Sequence, residues 1–235
     1  MGTRKMGAFV KMITRAIWRV AVLLIGVSGL CGGVLAQITD IGLVNQLSGD
    51  ISIVGDGGAA MRATPFMKIR AGDRFTVPAG ASIRMIYFKS NRQETWRGPA
   101  SFRVGGAQSE TTSGKVEVSE LPAPVTLKMS RVPDLMLGAR LGGVTLRGGK
   151  ALPRGRPNTE ERAEIARAQA TYQTLRAQAP EDDIAPELYL SAVLQEYGQY
   201  QDMKPLVEAM QKRLPGNTEL RDLAAAVEKW AASQQ

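Results

Sequence analysis

Histidine is absent from this chain of 235 residues, and its one cysteine, Cys31, lies inside an N-terminal apolar stretch. If that stretch is removed, the remainder has neither thiol nor imidazole. That excludes a cysteine nucleophile, a disulfide, a Cys/His zinc site and an imidazole base. No Walker loop, dinucleotide fingerprint or Gly-x-Ser-x-Gly elbow occurs either. A Ser/Lys nucleophile stays open. Asp182 and Asp183 adjoin each other in a loop after Pro180, the pattern of solvated like charges rather than of a glycosidase pair drawn from separate elements. Asp50, Asp56 and Asp73 occupy turn positions and lack the spacing of a calcium loop. No catalytic, cofactor-binding or metal-ligating residue is therefore assigned, no cofactor is expected, and no enzyme activity is expected.

What the chain does carry begins at its N-terminus. Residues 1–19 hold Arg4, Lys5, Lys11, Arg15 and Arg19 without an acidic residue, and Val20 to Ala36 runs without a charge. A basic segment, an apolar segment and a small-residue exit form the design of a secretory signal peptide, residues 1–36, with cleavage expected between Ala36 and Gln37. An uncleaved anchor is the alternative, although about 17 apolar residues is the short edge of a span and four glycines weaken it. A lipoprotein is disfavoured because Leu30 precedes Cys31 where a small residue is usual. A secreted chain without disulfides fits the periplasm, the expected location.

Charge divides unevenly beyond that segment. Residues 37–150 hold 15 Lys/Arg against 9 Asp/Glu, and residues 151–235 hold 10 against 13. The asymmetry fits two modules with different partners, or one module docked on the other.

The first module, residues 37–137, is rich in Val, Ile, Thr, Phe and Gly and broken at short intervals by turn residues, which predicts an all-β unit. Expected strands are Gly42–Leu47, Ile51–Val54, Phe66–Arg70, Arg74–Val77, Ser82–Lys89, Gln93–Arg97, Ser101–Val104, Lys115–Val118 and Val125–Met129, with Gln108–Gly114 a loop. Ile83, Met85 and Tyr87 alternate with Arg84, Ile86 and Phe88, so both faces of that strand are mostly apolar and it is expected between two layers.

The run Ile69 to Phe88, with its Gly72-Asp73 turn and the strands around Phe75 and Met85, followed by Trp96-Arg-Gly-Pro99-Ala-Ser101-Phe102, resembles the FecR-type periplasmic domain over residues 43–130. The chain departs from that pattern at Lys89-Ser-Asn-Arg92, where the family often has an Asp-Gly hairpin and a longer loop is expected here. The resemblance implies a compact β-sandwich or short solenoid-like β unit without enzymatic activity. The namesake regulators span the membrane and control a sigma factor from a cytoplasmic segment. Nineteen residues are too few for such a domain, so that role does not carry over.

Residues 138–157 combine glycine and proline with Arg140, Arg147, Lys150, Arg154 and Arg156 and are expected to be a linker, in which Leu141–Leu146 is short enough to pair with the β module. Residues 158–235 then adopt helical periodicity. Asn158 and Glu161 form a capping-box pattern before Ile165, Ala168, Tyr172 and Leu175. Further helices are expected at Pro186–Tyr197, Gln201–Leu214 and Thr218–Ala232. Pro180 and Pro215 lie 35 residues apart, near the ~34-residue tetratricopeptide period, and that register puts Leu190, Ser191, Leu194, Gly198, Met203, Val207 and Met210 at its packing positions. The region resembles a degenerate tetratricopeptide unit of antiparallel α-hairpins, an unrelated pair of hairpins being the alternative. The resemblance implies a short groove faced by Tyr189, Ala192 and Gln195.

The fold class expected is thus α+β in two modules, an N-terminal β-sandwich and a C-terminal helical domain. Candidate partner contacts are Arg70, Arg74, Arg84 and Arg97 on the basic module, and Tyr189, Gln195, Tyr197 and Tyr200 on the helical one. The function expected is a non-enzymatic periplasmic adaptor or scaffold. Its partners would be a protein of the bacterial envelope and an acidic envelope polymer, with no nucleic acid and with membrane contact only through an uncleaved N-terminal segment. A membrane-anchored sensor or regulator of FecR type and an unfamiliar envelope hydrolase are the alternatives.

Overall fold

Short runs of β-forming residues between turns build ten strands among the described residues, β1 (Asp40–Ser48), β2 (Ser52–Val54), β3 (Ala60–Arg62), β4 (Lys68–Arg70), β5 (Arg74–Val77), β6 (Ser82–Tyr87), β7 (Arg92–Arg97), β8 (Ala100–Val104), β9 (Ser109–Ser113) and β10 (Val116–Glu120). The structure is a computed structural model and describes residues 40–55, 57–142 and 156–233. The N-terminal segment with the expected cleavage site Ala36/Gln37, and linker residues 143–155, lie outside the described residues.

The strands form two antiparallel five-stranded sheets. An inner sheet has the order β10-β7-β6-β1-β4, and an outer sheet the order β3-β2-β5-β8-β9. They pack face to face around Val44, Ile69, Ile83, Met85, Tyr87 and Trp96 from the inner sheet and Ile53, Phe75, Val77 and Phe102 from the outer one. Trp96 stacks on Phe102 at 4.3 Å between ring centroids, and Phe102 on Phe75 at 5.2 Å. Gly42 in β1 sits where a Cβ would lie 2.1 Å from the Ile86 carbonyl oxygen, so the close approach of β1 to β6 requires glycine.

Among the described residues six helices follow, α1 (Ala123–Met129), α2 (Val132–Arg140), α3 (Thr159–Gln178), α4 (Ala185–Glu196), α5 (Tyr200–Arg213) and α6 (Thr218–Ala232). The expected capping box is present at the start of α3. Asn158 Oδ1 accepts from the Glu161 backbone N–H at 2.9 Å, and Glu161 Oε2 accepts from the Asn158 N–H at 2.8 Å. Helices α3 to α6 pack on one another in chain order, while α1 and α2 lie against α4 and α2 also against α6. This helical layer covers the far face of the inner sheet, since Leu43, Phe66 and Ile86 belong to the same buried apolar cluster as Val125, Met129, Leu188 and Leu223. Phe66 enters that cluster from a left-handed backbone conformation, φ 62°.

The inner sheet is therefore the middle of three layers, and β6 is buried on both faces as its pattern predicts. Several boundaries differ from expectation. Val125–Met129 is helical, because Pro124 in the first turn presets a helix start despite the strand-like composition after it. A second such proline, Pro133, opens α2, which runs through residue 137 and past the expected linker start. Leu141 and Gly142 form a turn after α2, and the rest of the Leu141–Leu146 segment expected to be able to pair with the β module lies outside the described residues. Residues 109–113, expected in a loop, form β9, and the short edge strand β3 was not foreseen.

Candidate functional site

The most concentrated polar chemistry lies where the helical layer meets the inner sheet. Arg84 is buried on the helix-facing side of β6. Its guanidinium donates to Gln46 Oε1 at 2.6 Å, Thr95 Oγ1 at 3.1 Å and Asp182 Oδ2 at 3.3 Å, and stands 3.6 Å from Asp183 Oδ1. Gln46 and Thr95 occupy the positions opposite Arg84 on β1 and β7, so sheet register alone brings the acceptors together. Asp183 is 2 % exposed, accepts from Gln93 Nε2 at 2.7 Å, and accepts from the N–H of Ala185, the first residue of α4, at 2.9 Å. Of the Asp182-Asp183 pair, expected to be solvated, Asp182 is exposed, whereas Asp183 is buried and forms the acidic centre of a clasp on Arg84.

The same loop is gripped from the helical side. Arg176 donates to the Asp183 carbonyl at 2.5 Å, to the Ala179 carbonyl at 3.0 Å and to that of Pro180, while Arg213 Nε donates to the Glu181 carbonyl at 2.9 Å. Both arginines also flank the fully buried Glu187 carboxylate, at 3.2 and 3.4 Å. A second junction ties α1 to α3 and α4. Lys128 Nζ donates to Glu164 at 3.0 Å and Glu196 at 2.8 Å, and Arg131 meets Glu196 at 2.5 Å. The Tyr197 hydroxyl donates to Glu164 at 2.5 Å. That bond first, and Lys128 second, hold the Glu164 carboxyl below the ordinary range. For Glu196 burial opposes ionisation, yet Arg131 and Lys128 outweigh it and the pKa falls.

The candidate partner contacts separate into two groups. Arg70, Arg74 and Arg97 are exposed. Arg70 bonds Asp40 at 3.3 Å and Arg97 bonds Glu117 at 3.2 Å, while Arg74 makes no ion pair among the described residues. Arg84, Tyr189 and Tyr200 are buried. Tyr200 packs against Trp230 at 5.4 Å between centroids, and burial pushes its hydroxyl up to about 12. Gln195 and Tyr197 are half-buried, the latter engaged with Glu164. Arg84, Tyr189 and Tyr200 are thus corrected from surface contacts to core residues. The expected groove residues Tyr189 and Ala192 are covered because α4 is flanked by α1, α2, α3 and α5.

Register also brings together residues that sequence reasoning left apart. Arg103 on β8 stands directly opposite Arg74 on β5, and Ser52, Thr76 and Ser101 form the neighbouring cross-strand row. Only their alternation with Phe75, Phe102 and Ile53 signals in the sequence that they point away from the core. Among the described residues no helix is long and apolar enough to cross a membrane, and no three Asp or Glu side chains converge as a metal site. Comparison with family models, curated proteins and solved structures returns no match.

Proposed function

We propose that the protein is a non-enzymatic adaptor of the bacterial periplasm, a scaffold that holds an envelope component on its β-sandwich and a protein on its helical layer. The observation that carries this reading is the clasp between Arg84, Asp182, Asp183, Gln46 and Gln93. A buried ion pair adds little net stability compared with apolar packing, but it fixes geometry, since any displacement leaves charges unpaired. Locking two modules in one orientation is what a two-sided adaptor requires. Export rests on the basic and apolar N-terminal segment, and the absence of thiol and imidazole chemistry beyond it rests on the sequence itself.

The finer fold assignments belong to the same proposal. A FecR-type β domain accords with the sandwich built on the Gly72-Asp73 turn and the consecutive strands β5 and β6, one in each sheet. A degenerate tetratricopeptide unit accords with chain-order packing of α3 to α6 and with burial of Leu190, Ser191, Leu194, Gly198, Met203, Val207 and Met210. With Tyr189 and Ala192 covered by the chain's own helices, the remaining protein-facing candidates on that layer are Gln195 and Tyr197.

Affinity capture from envelope extracts with the full chain tests the adaptor reading. A protein partner retained at physiological salt, and weakened by Gln195→Ala with Tyr197→Phe, is expected. Absence of any partner, together with turnover of peptidoglycan or peptides by the purified protein, would overturn it.

A further inference from the structure

We infer that the outward face of the outer sheet is a binding platform for a linear acidic polysaccharide, with Arg74 and Arg103 holding its anionic groups and Ser52, Thr76 and Ser101 meeting its hydroxyls. The inference deepens the adaptor reading by naming the chemistry of the envelope component, and it rests on that reading for where such a polymer would be met.

The face is defined by register. Two rows cross all five strands, Arg62-Ser52-Thr76-Ser101-Ser113 and Ala60-Val54-Arg74-Arg103-Glu110. The helices cover the other sheet, so nothing from the helical layer lies over these rows.

Arg74 and Arg103 are directly opposed neighbours on adjacent strands, where backbones stand about 4.8 Å apart. Like charges in that position destabilise a sheet unless an anion lies between them. Arg103 shares Glu110 at 3.4 Å in an exposed pair, and Arg74 has no ion pair among the described residues. Such an exposed pair is worth little, leaving both guanidinium groups open to a shared anion bound through charge-assisted, bidentate contacts.

The rest of the face selects among anions. Its two rows contain no aromatic side chain, so bases have nothing to stack on. Val54, half-buried, is its largest apolar residue, too small to anchor a protein hot spot or enter a bilayer. Hydroxyls on three successive strands, Ser52, Thr76 and Ser101, instead offer donors and acceptors at the spacing of the sheet. A chain of sugars with regularly placed carboxylates matches both rows at once.

The test titrates the full chain with polygalacturonate, using neutral dextran and a single-stranded oligonucleotide of equal charge as controls. Saturable binding that weakens with salt is expected, with a loss of at least about tenfold in Arg74→Ser/Arg103→Ser. Thr76→Val with Ser101→Ala should weaken polygalacturonate a few-fold and leave the oligonucleotide unaffected. Binding unchanged in a folded arginine double variant overturns the inference, as does equal binding of dextran. Tighter binding of the oligonucleotide through the same arginines also overturns it, in favour of nucleic acid. Capture of a protein partner by the arginine double variant would keep the adaptor reading while the platform fell. Arginine-dependent binding accompanied by cleavage of the polymer would support the platform and sink the non-enzymatic reading.

Discussion

Along β6 of the inner sheet five consecutive residues, Ile83 to Tyr87, are buried, whereas along β5 of the outer sheet burial alternates residue by residue from Arg74 to Val77. Both strands belong to antiparallel five-stranded sheets and contribute to one shared core. The difference lies in what covers the second face. Over the inner sheet the helical layer buries apolar side chains and a charged clasp together; the outer sheet turns arginines and hydroxyls to solvent. Arg84 on the covered face and Arg74 on the open one therefore play opposite parts. Arg84 is a fixed internal part, 6 % exposed, and Arg74 is an exposed cation.

Substituting those two arginines breaks the comparison most directly. Arg84→Ala leaves Asp183 buried without its cation and should destabilise the protein by about 3–5 kcal/mol, read from urea unfolding. Arg74→Ala should stay within about 0.5 kcal/mol of wild type, or stabilise slightly by relieving Arg103. Equal losses at the two sites would mean that the layers are not distinguished as described. Apolar positions sharpen the point at a lower level. Ile86→Ala should cost about 2–4 kcal/mol because its helix-facing side is packed, while Thr76→Ala on the outer sheet should change unfolding by less than about 0.5 kcal/mol.

How much of this was legible depends on whether the signal was local. The apolar character of β6 on both sides announced a middle layer before any second layer was visible. Asn158 with Glu161 was written in capping chemistry, and the start of α6 in the breaker Pro215-Gly216 before it, each a signal a few residues long. Edge strand β9, Ser-Glu-Thr-Thr-Ser, has no apolar alternation because it is exposed, so composition read it as a loop. Val125 to Met129 carried a strand-like composition that Pro124 overrode. The site was harder still. Arg84 and Asp183 are distant in sequence, and Arg74 and Arg103 become neighbours only through strand pairing. Charge type was legible; its partner was not.

Acid separates the layers by a different route. Glu164 and Glu196, in the helical layer, have folded-state pKa values below the ordinary 4.5. Their contribution is therefore complete above that value and is lost as pH falls through the lower folded values. Wild-type stability should fall on acidification below about pH 4.5, and Glu196→Gln should flatten that limb while lowering stability at pH 7. Variants retaining only Trp230, in the helical layer, or only Trp96, in the sandwich core, locate the loss by fluorescence. A limb seen equally by both would show the layers unfolding as one.

The smallest expected effect has the opposite sign. Ser191 on α4 is fully buried, and its hydroxyl has no hydrogen-bond partner among the described residues. A buried hydroxyl without a partner retains its desolvation penalty, and Ser191→Ala removes that penalty at the cost of a cavity of one oxygen atom. The balance favours alanine by roughly 0.5–1 kcal/mol, a rise of a few degrees in thermal midpoint for a chain of this size. Ser52→Ala on the outer sheet, where water already serves the exposed hydroxyl, should leave the midpoint unchanged. If Ser191→Ala instead destabilises, the hydroxyl is bonded within the helical layer and contributes to holding α4 in place.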